Sequence, residues 1–204
     1  MRTIVIWRDN LRVATIKRKT KETDICLNLC LDGTGKAKVN TGIGFFDHML
    51  DLLCVHALID LSLELKGDLE VDGHHSVEDV GICLGQALLE AVGDGEGICR
   101  YASVLLPMDD ALVQVALDIS KRPFLNFKAD QLEGRCGDFD AELCEEFFRA
   151  LVNHAKLNLH MTCLDGSNLH HMMEAMFKGF AVCLKQAVSI DPRRKGVPSS
   201  KGIL

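Results

Sequence analysis

Apolar and polar residues alternate from Thr3 to Leu31, a stretch rich in Ile, Val, Thr and Leu. This pattern predicts two strands with a break at Arg8-Asp9-Asn10. Asp32-Gly33-Thr34-Gly35 reads as a turn and Ala37 to Thr41 as a short strand. The period then changes. Phe46, Met49, Leu50 and Leu53 fall at helical spacing, so a helix is expected over Phe45 to His56, opened by Gly42-Ile43-Gly44. Strands are expected at Asp60 to Leu65 and Asp68 to Asp72. The positions Val77, Val80, Leu84, Ala87, Leu88 and Ala91 mark a second helix over Ser76 to Val92.

The same order then begins again. Met108 to Ile119 and Phe124 to Ala129 are strand-like, Phe139 to His154 is helical, Leu157 to Cys163 is a strand, and His171 to Val188 is a helix. Three landmarks recur in register with this order. Leu29-Cys30-Leu31-Asp32 matches Val115-Ala116-Leu117-Asp118, Phe45-Phe46 matches Phe147-Phe148, and His74-His75-x-x-Glu78 matches His170-His171-x-x-Glu174. Their spacing drifts only as loop lengths would allow, which indicates a duplicated half of roughly 90–95 residues. Residues 1–95 form the first half, 96–190 the second, and 191–204 a basic tail. The expected fold class is α+β: in each half a mostly antiparallel four-stranded sheet carries two helices on one face, and the halves pair by burying their helix layers together.

Composition narrows the function classes. Lys plus Arg is 23 against 29 Asp plus Glu, a net charge of −6. That balance argues against a general nucleic-acid binder, which needs a basic face for phosphates. Trp7 and Tyr101 are too isolated to make a base-stacking platform. No apolar run approaches the ~20 residues of a membrane span, and Arg2, Arg8 and Asp9 interrupt the first residues, so no secretory leader is read there. The nine cysteines include no C-x-x-C pair and sit mostly in apolar stretches. An odd set of this kind predicts reduced core thiols in a cytoplasmic protein.

The two His-His-x-x-Glu motifs carry the chemistry. Neighbours on a helix diverge by about 100°, whereas residues three or four apart share a face. Each motif therefore sets one His beside its Glu and sends the other elsewhere. Two copies predict two metal sites, each mixing ligands from both motifs. Imidazole nitrogen with carboxylate oxygen suits Zn, Mn, Fe, Co or Ni. His48 and His160 are candidates for further ligands. Asp72 and Asp79 are read either as acids that orient the imidazoles or as solvated acids at a helix start. Arg100, Arg122, Lys178 and the tail residues Ser199, Ser200 and Lys201 supply cations, hydroxyls and backbone amides suited to a phosphate or carboxylate, although a basic tail of this composition also fits a solvated end.

Taken together, the strings Lys19-Thr20-Lys21-Glu22-Thr23, Thr41-Gly42-Ile43-Gly44-Phe45-Phe46-Asp47-His48-Met49-Leu50, His74-His75-Ser76-Val77-Glu78-Asp79, His170-His171-Met172-Met173-Glu174-Ala175 and Pro198-Ser199-Ser200-Lys201-Gly202 resemble the imidazoleglycerol-phosphate dehydratases of histidine biosynthesis. The resemblance runs from Arg18 almost to the end of the chain. Departures are few: Gly73 stands where members often have Asp, and Gly179 and Val182-Cys183 replace commoner Ala and Arg.

The resemblance implies loss of water from imidazole glycerol phosphate to give imidazole acetol phosphate, with two manganese ions per active site and no organic cofactor. It implies metal ligation by His48, His74, His75, Glu78, His160, His170, His171 and Glu174, and catalytic roles for Glu78, Glu174, His75, His171 and Glu22. Glu22 is the expected acid/base or hydroxyl-positioning carboxylate. Arg100, Arg122, Lys178, Ser199, Ser200 and Lys201 would hold the phosphate and diol. The implied fold is a duplicated unit related to the second domain of ribosomal protein S5, assembled from trimers into an octahedral 24-mer. Two other readings use the same ligands: a metal-buffering assembly without turnover, and a di-metal phosphoesterase that activates water.

Overall fold

In the computed structural model, residues 11–204 are described. The strand expected to begin at Thr3, its break at Arg8-Asp9-Asn10 and the Met1–Asn10 segment lie outside the described residues. Downstream of them the alternation resolves into a hairpin, β1 (Val13–Lys19) and β2 (Thr23–Cys30). The interruption therefore falls at Thr20-Lys21-Glu22, inside what was expected to be one strand. Turn chemistry outweighs β-propensity there: Thr20 Oγ1 accepts the amides of Glu22 and Thr23 at 3.1 and 3.0 Å. In β2, Thr23, Ile25, Leu27 and Leu29 all point inward, as a half-buried strand requires.

The first sheet has the order β1-β2-β4-β3, with β3 (Ala37–Asn40) parallel to β4 (Asp60–Gly67) and the other pairs antiparallel. The helix α1 (Gly44–Ala57) makes the crossover, and α2 (His74–Val92) follows. The strand expected at Asp68 to Asp72 is instead a turn, closed by Val71 N–H donating to the Asp68 carbonyl at 2.8 Å. β4 ends at Gly67 with both its neighbours in place, the stretch after it joins neither edge strand, β1 or β3, and Val71 is 64% exposed.

The second sheet repeats the first, with order β5-β6-β10-β7 and one parallel pair, β7–β10. Its strands are β5 (Tyr101–Met108), β6 (Ala111–Asp118), β7 (Phe124–Lys128) and β10 (Asn158–Asp165). The single strand expected over Met108 to Ile119 is thus one arm of a hairpin whose other arm, β5, was not foreseen. Asp109, at φ 49°, turns the chain between them. A small hairpin, β8 (Arg135–Cys136) and β9 (Phe139–Asp140), occupies the start of the helix expected from Phe139. The helix itself is α3 (Glu142–Ala155), and α4 (Leu169–Val188) follows β10.

The duplication holds down to detail: α1 and α3 both end on a non-glycine residue in the left-handed region, Leu58 and Lys156, each at φ 55°. The phenylalanine pairs are not equivalent, however. Phe45-Phe46 opens α1, whereas Phe147-Phe148 lies a turn into α3.

The two helix layers bury each other, α2 against α3 and α1 against α4. The α2–α3 contact is close enough to need glycine. A Cβ at Gly81 would lie 2.7 Å from the Phe147 carbonyl oxygen, and one at Gly85 2.5 Å from that of Leu151. Phe46, Phe139, Phe147, Phe148, Phe177 and Phe180 fill the interior between the layers. All nine cysteines are unpaired, and burial pushes the Cys54, Cys83 and Cys183 thiols up to about 12, so these three stay protonated and inert. No helix among the described residues is long and apolar enough to cross a membrane.

Candidate active site

The packing of α1 on α4 brings together one group of metal-ligand type. His48, four residues into α1, meets His170 and Glu174 at the start of α4, and a ligand atom from each lies within 4.8 Å of the others. Glu174 Oε2 stands 3.1 Å from His170 Nε2 and 3.4 Å from His48 Nε2. Its other oxygen accepts from Lys178 Nζ at 2.5 Å, which leaves Oε2 for the imidazoles. Burial alone would push the Glu174 carboxyl up, but Lys178 and His170 more than offset it and hold it below its ordinary value. Phe45 sets its ring edge-on to His170, centroids 5.1 Å apart, and packs against Phe139 of the small hairpin. Two nitrogens and one oxygen converging with open sides fit a divalent transition ion or manganese.

The divergence expected within each motif is present in the second one. While His170 turns to Glu174, His171 turns away and lodges against the β5–β6 turn, its Nδ1 2.6 Å from Asp110 Oδ1 and its Nε2 3.5 Å from Asp109 Oδ2. Asp110 is a junction: its Oδ2 also accepts the Ser167 and Asn168 amides and the Ser167 hydroxyl. The His171 imidazole, followed by those amides, holds the Asp110 carboxyl well below the usual carboxylate range. Asn168 caps α4 by accepting from the His171 amide.

In the first motif, His75 Nδ1 lies 3.0 Å from Asp68 Oδ2, and its Nε2 looks across 4.0 Å to Glu22 Oε1. The Asp68 carboxylate raises the His75 imidazole above its ordinary value, with Glu22 assisting. Glu22 rides on the β1–β2 turn, the counterpart of the turn that carries Asp109 and Asp110. The turn is anchored from below by a buried network. Asp79 accepts from Thr23 Oγ1 and, at 2.9 Å, from Arg18 Nε, and Thr20 Oγ1 lies 3.3 Å from Thr23 Oγ1. Asp79 therefore orients no imidazole, and neither does Asp72, whose Oδ1 accepts the His74 amide at 2.8 Å. Short side chains at the start of α2 satisfy the free helix amides and the turn below it, and the imidazoles are reached by Asp68 and Asp110 from loops instead.

The expectation that each site mixes ligands from both motifs is not met within the chain. α2 packs on α3 and α4 on α1, so the two motifs, at the heads of α2 and α4, are not brought together. His74 and Glu78 join no group of three ligands among the described residues. His160 stands apart for a reason set by the strand period. Leu159, Met161 and Cys163 point to the helices, so His160 points to the opposite, open face of the sheet, beside Asn126 and Phe124.

The cations divide similarly. Lys178 belongs to the Glu174 cluster. Arg100, in the left-handed region at φ 75°, donates to both Asp118 oxygens and, from Nη1, to the Pro198 carbonyl at 2.9 Å. The tail is consequently docked along the β5 end of the fold, with Asp191 and Gly196 hydrogen-bonded to Gly97, and Ser199, Ser200 and Lys201 follow directly from the residue Arg100 holds. The Arg122 side chain lies exposed at the turn before β7, where its own carbonyl accepts from Ser120 Oγ and Asn158 Nδ2. Sequence reasoning missed Asp68, Asp109 and Asp110; the signal for the last two was a pair of acids after Pro107-Met108, a turn signature inside an alternating run.

This arrangement can be set beside known proteins. Residues 41–184 match the family model of imidazoleglycerol-phosphate dehydratase. The chain is 56% identical over 195 residues to the imidazoleglycerol-phosphate dehydratase of Rhodopseudomonas palustris strain TIE-1, covering 95% of this chain and 99% of that one. It is 57% identical to the enzyme of Dinoroseobacter shibae, covering 95% and 100%. Among solved structures, the imidazoleglycerol-phosphate dehydratase of Staphylococcus aureus superposes with a TM-score of 0.80 at 38% identity, covering 88% of this chain and 99% of that one. The same enzyme from Pyrococcus furiosus gives 0.79 at 34%, covering 93% and 100%. With its duplicated fold, its intact pair of histidine motifs and relatives matched along nearly their whole length, the chain belongs to the imidazoleglycerol-phosphate dehydratase family.

Proposed function

We propose that this protein is the hydro-lyase that converts imidazole glycerol phosphate to imidazole acetol phosphate and water in histidine biosynthesis. The observation that carries this is the 56% identity, over 95% of the chain, to an imidazoleglycerol-phosphate dehydratase. The family favours a dehydratase over the metal-buffering and phosphoesterase readings. Overall, one C–H and one C–OH bond of the glycerol chain break, water leaves, and the resulting enol becomes the ketone.

The metal would be manganese, two ions per active site, with no organic cofactor. His48, His170 and Glu174 would hold one ion, and His74, His75, Glu78, His160 and His171 complete the ligand set. Such an ion would supply Lewis acidity that weakens the C–H bond beside the substrate imidazole. The chain's own groups do the rest. Glu22, half exposed and facing His75, takes the role of proton carrier or holds the departing hydroxyl. Glu78, Glu174, His75 and His171 are catalytic through the ions they hold. Arg100, by holding the tail, would place Ser199, Ser200 and Lys201 around the phosphate, with Arg122 and Lys178 adding charge.

We place the enzyme in the cytoplasm, consistent with nine unpaired cysteines, and as a homo-oligomer of trimers in an octahedral 24-mer. The position of His160 on the open sheet face supports an ion completed by a neighbouring copy. Incubation with imidazole glycerol phosphate and manganese tests the function. The keto product is expected; free phosphate would indicate the phosphoesterase, and unchanged substrate the metal buffer.

A further inference from the structure

The second histidine of each motif is gripped in the same way, although the grips come from different places in the two halves. His75 Nδ1 meets Asp68, from the turn after β4, at 3.0 Å. His171 Nδ1 meets Asp110, from the β5–β6 turn, at 2.6 Å. An ionised carboxylate can only accept, so the imidazole proton must sit on Nδ1 in both rings. In the neutral ring the other nitrogen, Nε2, then carries a lone pair. It faces Glu22 at 4.0 Å and Asp109 at 3.5 Å, both long for a hydrogen bond. We propose that Asp110 and Asp68 are positioning residues that lock His171 and His75 as Nδ1–H tautomers, so that both present Nε2 outward as a ligand atom. This deepens the metal reading above and rests on it for its consequence, while the tautomer itself does not depend on any ion.

The surroundings of Asp110 make the lock directional. Its Oδ2 is committed to three donors: the Ser167 amide at 2.7 Å, the Ser167 hydroxyl at 2.8 Å and the Asn168 amide at 2.9 Å. An asparagine there must give its single carbonyl oxygen to those donors. Its NH2 then faces His171 Nδ1 and donates, which moves the ring proton to Nε2 and blocks the ligand atom. Asp110→Asn is therefore a near-isosteric change that inverts a tautomer.

The test uses the assembled protein labelled with 15N-histidine, whose ring shifts distinguish protonated from bare nitrogens. Spectra are recorded at increasing alkaline pH until the His75 and His171 ring shifts stop changing, so that both rings are neutral. His171→Gln and His75→Gln assign the two signals. Both rings are expected with Nδ1 protonated; Asp110→Asn moves the His171 proton to Nε2, and Asp68→Ala releases His75 to a mixture. Manganese titration of the same samples should show affinity weakened about 10–100-fold by Asp110→Asn. Ser167→Ala, which loosens the loop without touching the imidazole, should keep both tautomer and affinity. A wild-type His171 or His75 protonated on Nε2, or an Asp110→Asn spectrum identical to wild type, overturns the proposal. Should Asp110→Asn fail to fold, the wild-type spectrum and Asp68→Ala decide. A wild type that binds no manganese removes the metal reading, and the tautomer result still stands or falls by itself.

Discussion

Arg12, near the start of the described chain, ties it to the end of α4 with one side chain. Its Nε and Nη2 reach Asp32, and Nη1 donates at 2.6 Å to the carbonyl of Val188, the last residue of α4. The hydrogen bonds from Arg12 hold the Asp32 carboxyl below its ordinary value against the opposing effect of burial. A carboxyl whose folded pKa is depressed adds stability above the unfolded pKa, about 3.9, and loses it as pH falls through the folded value. Asp32→Asn should therefore cost about 1–2 kcal/mol at neutral pH, allowing for the 31% of the Asp32 side chain that faces solvent, and less at an acid pH below the ordinary carboxylate range. Urea midpoints of both proteins at the two pH values measure this, and an equal gap at both refutes it. At this scale the sequence was readable where a residue type implied its chemistry. His48, His170 and Glu174 were candidates by type and spacing, and they meet. Asp68 and Asp110 were not, because nothing local distinguishes an acid that grips an imidazole from one that faces water.

Those two omissions trace to the element scale. Asp68 was hidden inside a stretch expected as a strand, and Asp109 and Asp110 sat at the edge of a run expected as one continuous strand. The inward positions do switch at the turn, from even numbers in β5 (Ala102, Val104, Leu106, Met108) to odd numbers in β6 (Ala111, Val113, Val115, Leu117), but apolar residues on the opposite face, Leu105, Leu112 and Ala116, mask the switch. The helices were found nearly in full because their period has no such ambiguity. What periodicity could not show is how closely two helices approach. Gly85→Ala would gain up to about 1 kcal/mol from helix propensity. The new Cβ, however, would sit 2.5 Å from the Leu151 carbonyl oxygen and 2.9 Å from the Ala155 nitrogen. Backbone cannot step aside as a flexible side chain does, so overpacking of about 1–3 kcal/mol wins and the protein melts lower. Gly44→Ala, at the open first turn of α1 with nothing within 4 Å, should leave the melting temperature unchanged or raise it. The contrast between two identical substitutions tests the helix contact, and a rise at Gly85 would contradict it.

For the whole molecule, the duplication was legible from the order of landmarks, but the unequal fate of the two motifs was not. α1 delivers His48 to the head of α4, whereas no His from α3 reaches the head of α2, so among the described residues one chain gathers a single group of three candidate ligands. If the second ion needs His160, that residue must come from another copy, since it points away from the helix layer of its own chain. Metal binding then favours the assembled state by RT ln(1 + [L]/Kd) per site, about 2.7 kcal/mol at a hundredfold excess over Kd, and a shell of many sites multiplies it. Chelation should break the particle into smaller species, trimers on the proposed architecture, and manganese should restore it. His160→Ala sharpens the expectation, because it leaves His48, His170 and Glu174 untouched. It should bind half the manganese of the wild type and no longer respond to the metal by assembling. Sedimentation velocity with parallel metal analysis measures both. A large particle that stays whole when metal-free would end the linkage, and a His160→Ala protein with full stoichiometry would remove His160 as a ligand.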